Sequence, residues 1–169
     1  LHHVTPMVKP KPESKMQELF EKAKIFEEEF LINYKNIGIT RVVIEEPLLN
    51  SNNVYTIGTL LRYNKLITKQ VYDVFGIVPE YISTYNSRKN AFPELVKEND
   101  KGKFVLFGGY PKDIDKKQVI WDHVNSLCPE VNWLYGKTGT LKKENFDMAD
   151  AACCVIGYIN MSKLEKSGN

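Results

Sequence analysis

Three carboxylates have the types and spacing of a metal-binding set. Asp147 and Asp150 are three residues apart in a stretch with helical periodicity. Three helical residues turn the chain by about 300°, so the two side chains project from nearly the same face. Glu45 follows a short apolar run earlier in the chain. Carboxylate oxygens are preferred ligands of Mg²⁺, and sites that hold two such ions are typical of nucleases.

Asp150 is harder than Asp147 to explain as an ordinary helix residue. An aspartate in the first turn of a helix is stabilised by the helix dipole, which accounts for Asp147. Residues 151–156 are apolar on nearly every side, which predicts a buried helix. A carboxylate at the edge of a buried helix requires a partner or a metal ion.

Glu45 lies where ligands often bind in α/β proteins. Residues 42–44 are β-branched and predict a short buried strand, which Pro47 ends. Ligands collect at the carboxyl ends of strands in open α/β sheets. Because successive strand side chains point to opposite faces, only one of Glu45 and Glu46 can face a given site. The alternative is a strand that ends in solvated charges.

Four basic residues lie in or just after predicted loops, near aromatic residues. Basic side chains interleaved with aromatics suit a nucleic-acid backbone, although scattered surface lysines are common and are the alternative. The net charge is only +2, so local patches would have to hold a nucleic acid. The four residues are Arg88, Lys89, Lys116 and Lys117.

The elements that must position these residues follow from the hydrophobic periodicity. Helices and strands alternate, which predicts parallel crossover connections and an α/β fold. The predicted elements are a helix over residues 15–35, a strand ending at Glu45, a helix over 53–75, a strand over 79–85, a mobile stretch over 86–112, a helix over 114–127, a loop over 129–145 and a helix over 146–161.

The sequence argues against several structural features and binding sites. Cys128, Cys153 and Cys154 contain no C-x-x-C pair, which argues against a disulfide framework or a zinc site and favours a reducing compartment. No apolar run approaches the ~20 residues of a membrane span. Residues 135–140 lack the first glycine of a phosphate-binding P-loop, and with the lysines that follow they predict a basic, flexible loop.

In this order, the motifs resemble those of the RuvC family of Holliday-junction resolvases, within the RNase H-like superfamily. Val43–Pro47 is similar to the motif that carries the family's second strand-end carboxylate, which makes Glu45 its counterpart. The family's next helix is capped by asparagine, as at Asn52. Asp147–Ala151 matches the D-x-x-D-A that opens the family's last helix. The match runs from the first helix to the last.

The resemblance implies a single RNase H-like domain, with a mixed five-stranded sheet flanked by helices. It implies two Mg²⁺ ions, for which Mn²⁺ can substitute, bound by Glu45, Asp147 and Asp150. It also implies a homodimer that resolves four-way DNA junctions by phosphodiester hydrolysis. The expected compartment is the cytoplasm, either of a bacterium or of the host cell of a phage or virus. Lys89 and Lys116 resemble the family's basic residues near the active site, and with Arg88 and Lys117 they are the expected DNA-binding residues.

Two features depart from the family pattern. The family's first catalytic aspartate lies on the first strand, but no aspartate precedes Asp73 here, so the resemblance implies that the first strands lie upstream of Leu1. The segment between Asn90 and Pro111 is also longer than expected. The alternatives are a non-catalytic RNase H-like module that binds nucleic acid, or another RNase H-like nuclease, either a ribonuclease or an exonuclease.

Overall fold

The computed structural model describes residues 3–47 and 53–167, with side chains described as far as Glu165. The described chain is mixed α/β and divides into two compact units, Val4–Tyr81 and Ile82 onward together with His3. The helices are α1 (Lys15–Glu29), α2 (Val54–Phe75), α3 (Thr84–Ala91), α4 (Lys116–Leu127) and α5 (Glu144–Ser167). The strands are β1 (Val43–Glu45), β2 (Glu80–Ile82), β3 (Val96–Glu98) and β4 (Phe104–Leu106).

In the first unit, α1 packs against α2. Ser14 caps α1, because its side-chain oxygen accepts a hydrogen bond from the backbone N–H of Gln17 at 3.1 Å. The helix ends at Glu29, earlier than expected, because Phe30 leaves the helical region (φ −122°) and a 3-10 turn follows. One buried hydrophobic cluster of this unit is formed by Leu31, Val71 and Val74, and Leu19 and Ala23 of α1 are also buried.

The strand that carries Glu45 is short. β1 neighbours β2 in a two-stranded sheet, and the backbone N–H of Glu80 donates to the carbonyl oxygen of Val42 at 2.9 Å. Glu45 is the last residue of β1 and is half-buried, whereas Glu46 is exposed. The prediction that a strand ends beside Pro47 is therefore confirmed.

The helix predicted over residues 53–75 is confirmed as α2. Asn53 is its N-cap, accepting hydrogen bonds from two backbone N–H groups of the first turn at 3.0 and 3.2 Å. Gly76 ends the helix in the left-handed conformation (φ 68°), which glycine adopts without steric cost. Asn52, the cap expected from the resemblance, lies outside the described residues.

The strand predicted over residues 79–85 is present but ends at Ile82, and the prediction of a mobile stretch over residues 86–112 is wrong. Ser83 stops the strand at Ile82 and caps α3, since its hydroxyl accepts a hydrogen bond from the backbone N–H of Asn86 at 3.2 Å. After α3, strands β3 and β4 form an antiparallel hairpin in which Lys97 lies opposite Val105. This segment therefore has regular structure.

The second unit is built around α5. Helices α3 and α4 both pack against α5, which begins at Glu144 and is longer than predicted. The prediction that residues 151–156 are buried is only partly correct, because Ala151 and Val155 are exposed and only one face of the helix meets the core. The main buried cluster is formed by Ala91, Phe92, Leu95, Phe107, Ile120, Val124, Ala149, Ala152 and Cys153.

The described strands do not form the five-stranded sheet that the resemblance implied. They pair as two separate two-stranded sheets, β1 with β2 and β3 with β4. A mixed α/β composition is thus confirmed, whereas the parallel crossover connections and an RNase H-like arrangement stay predictions. Within residues 3–47 and 53–167, none of the helices has the length and apolar character needed to cross a bilayer.

Candidate functional site

Asp147 and Asp150 lie at the start of α5, on the exposed side of the second unit's core. Asp147 is in the first helical turn and its side chain is 63% exposed, whereas that of Asp150 is 21% exposed. Between them, Met148 and Ala149 are buried and fix this turn of the helix against the core. One carboxylate is therefore open to ligands and the other is held partly within the protein.

Asp150 has the partner that its burial required. Nη2 of Arg88 donates a hydrogen bond to Oδ1 of Asp150 at 2.9 Å, linking α3 to α5. The Arg88 side chain is 16% exposed, and its Nε is buried with no hydrogen-bond partner in the part of the chain that the structure describes. A charge-assisted bond in a partly desolvated place is stronger than one at the surface.

Asp147 contacts two further basic groups. Nζ of Lys117, in the first turn of α4, lies 3.6 Å from Oδ1, and Nε2 of His3 lies 3.8 Å from Oδ2. Lys117 was expected near the carboxylates and its position agrees with that prediction. His3 was not expected, because nothing in the sequence relates a histidine so far from α5 to this turn.

Lys89 and Lys116 contact aromatic rings. Nζ of Lys89 lies 5.8 Å from the centre of the Tyr85 ring, and Nζ of Lys116 lies 5.7 Å from that of Phe107. Cation–π contacts of this length hold a lysine loosely, so both ammonium groups can still contact another anion. Of the four predicted basic residues, two pair with the α5 carboxylates and two lie over aromatics.

The fit of this turn to a metal ion is partial. Asp147 and Asp150 supply oxygen ligands of the kind that Mg²⁺ prefers. Among the described residues, however, there is no group of three or more histidine, cysteine, aspartate or glutamate side chains arranged to hold an ion. Glu45 belongs to the first unit, and its convergence with Asp147 and Asp150 stays a prediction.

The loop predicted over residues 129–145 contains a small hairpin. Tyr135 and Leu141 form an antiparallel bridge, and the backbone N–H of Gly136 donates to the carbonyl oxygen of Thr140 at 2.8 Å. Sequence reasoning missed Asn145, which is fully buried and binds the base of this hairpin. An asparagine in the first turn of a helix is ordinary in sequence, so only the fold reveals this role.

Cys153 is excluded as a nucleophile by its surroundings. Burial, with a smaller contribution from the neighbouring Cys154, raises the pKa of its thiol to about 12. The thiolate is the nucleophilic form, so the thiol is inert at neutral pH. All three cysteines are free thiols, in agreement with the prediction of no disulfide framework.

The chemistry available in the second unit is therefore a carboxylate pair framed by cations. Asp147 and Asp150 share the start of one helix, and Arg88 and Lys117 reach them from two others. Comparisons with protein-family models, with curated proteins and with solved structures found no match to this chain.

Proposed function

We propose that the protein is a metal-dependent endonuclease that hydrolyses phosphodiesters in branched DNA, with four-way junctions as its substrate. The observation that carries the proposal is the carboxylate pair of α5, contacted by Arg88 at 2.9 Å and by Lys117 at 3.6 Å. Carboxylates suit divalent cations and basic side chains suit phosphates, so a nuclease needs both in one place. The order of motifs that resembles RuvC-type resolvases supports the same reaction.

In this proposal, Asp147, Asp150 and Glu45 would hold two Mg²⁺ ions, for which Mn²⁺ could substitute. Ions of this kind would supply a water of lowered pKa and positive charge beside the phosphate. Asp147 is the more open ligand because its side chain is 63% exposed. Arg88 is a positioning residue, since its hydrogen bond to Oδ1 fixes the orientation of the Asp150 carboxylate.

The lysines bind the DNA backbone. A carboxylate cluster repels a polyanion, so cations beside it are needed to bring phosphates within reach. Lys116 and Lys117 open α4, and both are exposed, as is Lys89 on α3. A homodimer would present two such sites, which is what symmetric cleavage of a four-way junction requires.

A non-catalytic module that binds nucleic acid is the second candidate. The ion pair between Arg88 and Asp150 favours it, because that carboxylate is already compensated by a protein cation at 2.9 Å. In such a module the same ion pair would simply join α3 to α5, and the exposed lysines would still bind phosphates.

Cleavage assays on matched substrates test the proposal. A labelled four-way junction, a linear duplex and an RNA–DNA hybrid are incubated with Mg²⁺ or with EDTA. We expect Mg²⁺-dependent cleavage of the junction that is lost in Asp147→Asn, Asp150→Asn and Glu45→Gln. Glu165→Gln is the control, since Glu165 is exposed and lies about four helical turns beyond Asp150 on α5.

Three outcomes would contradict the proposal. Junction binding without cleavage under any divalent cation would support the non-catalytic module. Preferential cleavage of the hybrid would indicate a ribonuclease. Cleavage that survives all three carboxylate substitutions would show that the ions are held elsewhere.

A further inference from the structure

The hairpin between α4 and α5 is a defined structure with a strongly basic surface. Tyr135 and Leu141 pair across it, and Lys142 N–H donates to the carbonyl oxygen of Leu134 at 3.0 Å. At its tip, the hydroxyls of Thr138 and Thr140 are 2.9 Å apart, within hydrogen-bond distance. We call residues 134–143 the basic hairpin.

A buried asparagine and a half-buried tryptophan fix the base of the basic hairpin to the rest of the second unit. The side chain of Asn145 accepts a hydrogen bond from Leu134 N–H at 2.8 Å and donates one to Leu134 O at 2.6 Å. Just before the hairpin, Nε1 of Trp133 donates to Oδ1 of Asn125 at 2.7 Å, and its ring meets that of Trp121 edge to face. The hairpin is therefore anchored to both α4 and α5.

The exposed lysines of the basic hairpin suit a phosphate backbone. Lys137, Lys142 and Lys143 are exposed, and residues 132–143 contain no acidic residue. Tyr135 is 54% exposed among these cations. Ammonium groups beside an exposed aromatic ring are suited to nucleic acids, in which phosphates alternate with bases that stack. An acidic protein partner could form ion pairs with the lysines, but it would not require an exposed aromatic ring beside them.

We propose that the basic hairpin is a second nucleic-acid contact, which binds the phosphates of a strand leading to the α5 carboxylates. The hairpin ends at Lys143, four residues before Asp147, so a strand bound along it lies close to that carboxylate. This inference rests on the proposed function for its substrate, but it concerns binding and is separable from hydrolysis. Asn145 is the positioning residue, because it holds the hairpin against the start of α5.

A charge-matched comparison tests the proposed binding surface. Lys137, Lys142 and Lys143 are changed together to glutamine, and the control is a variant with Lys11, Lys24 and Lys35 changed to glutamine. All six lysines are exposed, and the control three lie in the first unit. Binding of a fluorescein-labelled four-way junction is measured by anisotropy in EDTA, over a series of KCl concentrations.

We expect the hairpin variant to bind more weakly than the control and with a shallower salt dependence. The slope of log K against log salt should fall by about 0.9 for each phosphate that is no longer bound, approaching about 2.7 if all three lysines bind phosphates. Equal affinity and equal slope in the two variants would overturn the proposal. None of the six substitutions changes a buried side chain, so both proteins should fold.

The test of Asn145 must distinguish an effect on DNA binding through the hairpin from a general loss of stability. We expect Asn145→Ala to weaken junction binding in the wild-type background, because the hairpin loses its two anchoring hydrogen bonds. In the triple-lysine background, the same substitution should weaken binding no further. An equal loss in both backgrounds would show that Asn145 acts on stability alone. If Asn145→Ala fails to fold, the lysine comparison still decides the main proposal.

The two proposals can fail independently. A protein that cleaves no junction but whose binding depends on the three lysines keeps the hairpin's binding role and loses the nuclease function. A protein that cleaves junctions with Mg²⁺, and whose binding is the same in both lysine variants, keeps the nuclease function and loses the hairpin's binding role.

Discussion

Gly157 lies so close to Ser87 that a side-chain carbon at residue 157 would be 2.3 Å from the carbonyl oxygen of Ser87. This close approach brings α3 against α5 and so positions Arg88 beside Asp150. We expect Gly157→Ala to destabilise the second unit by about 1–3 kcal/mol, because overpacking forces the two helix backbones apart. Urea unfolding followed by tryptophan fluorescence measures this, since Trp121 and Trp133 both lie in that unit.

Gly58 in α2 provides the matched control for Gly157. A side-chain carbon there would have no neighbour within 4 Å. Gly58→Ala should therefore raise the free energy of unfolding of the first unit by about 1 kcal/mol through helix propensity alone. Far-UV circular dichroism measures unfolding for both glycine variants, since both tryptophans lie in the second unit. Equal effects at the two glycines would contradict the close packing of α3 on α5.

Arg88 and Asp150 should be energetically coupled, because they form an ion pair. Arg88→Gln leaves a carboxylate that is only 21% exposed without its cation, so we expect a loss of about 2 kcal/mol. Asp150→Asn in the same chain should restore part of that loss, because the buried charge is removed. The free energies of unfolding of the two single variants and the double variant measure the coupling, and additive losses would show that the pair contributes nothing.

Cys153 should resist alkylation in the folded protein. Burial raises the pKa of its thiol from an ordinary 9.0 to about 12, so at pH 8 almost none is thiolate. Because the folded state binds this proton more tightly than the unfolded chain, stability should fall as pH rises from about 9 toward 12. Iodoacetamide labelling read by mass spectrometry should modify half-buried Cys128 first, and urea should abolish the difference. Rapid native labelling of Cys153 would contradict its burial.

Lys89 and Lys116 should contribute to junction binding independently of catalysis. Changing both to alanine should weaken binding and flatten its salt dependence by about 1.8, the value for two phosphate contacts. Glu45→Gln is the comparison, because it removes negative charge from the proposed site and should stop cleavage while weakening binding much less. Unchanged affinity and slope in the double variant would place the phosphates elsewhere.

Helix α2 should carry the contact of a homodimer. Val54, Tyr55 and Tyr72 on this helix are large hydrophobic residues that are 77%, 89% and 54% exposed. Aromatic residues are enriched at protein interfaces. We expect light scattering to give the mass of a dimer, and Tyr55→Ser with Tyr72→Ser to shift it to the monomer. A wild-type monomer at micromolar concentration would contradict this prediction.

The sequence by itself determined the local structure around the candidate residues. Ser14 and Asn53 cap helices because their side chains can accept backbone hydrogen bonds. Helix α2 and the strand before Glu45 could also be predicted, because each pattern depends on residues that are close in sequence. The pairing of Asp147 with Asp150 on one helical face followed from spacing alone.

Only the tertiary structure decided what those residues touch. That Arg88 meets Asp150, and that Asn145 holds Leu134, depends on how α3, α4 and α5 pack, at separations of 62 and 11 residues. The sequence pattern predicts the end of a strand and then a mobile stretch here, whereas in the structure Ser83 caps helix α3 and Gly157 allows this helix to approach α5 closely. Contacts between distant parts of a chain depend on backbone approach and packing, which no local pattern in the sequence encodes.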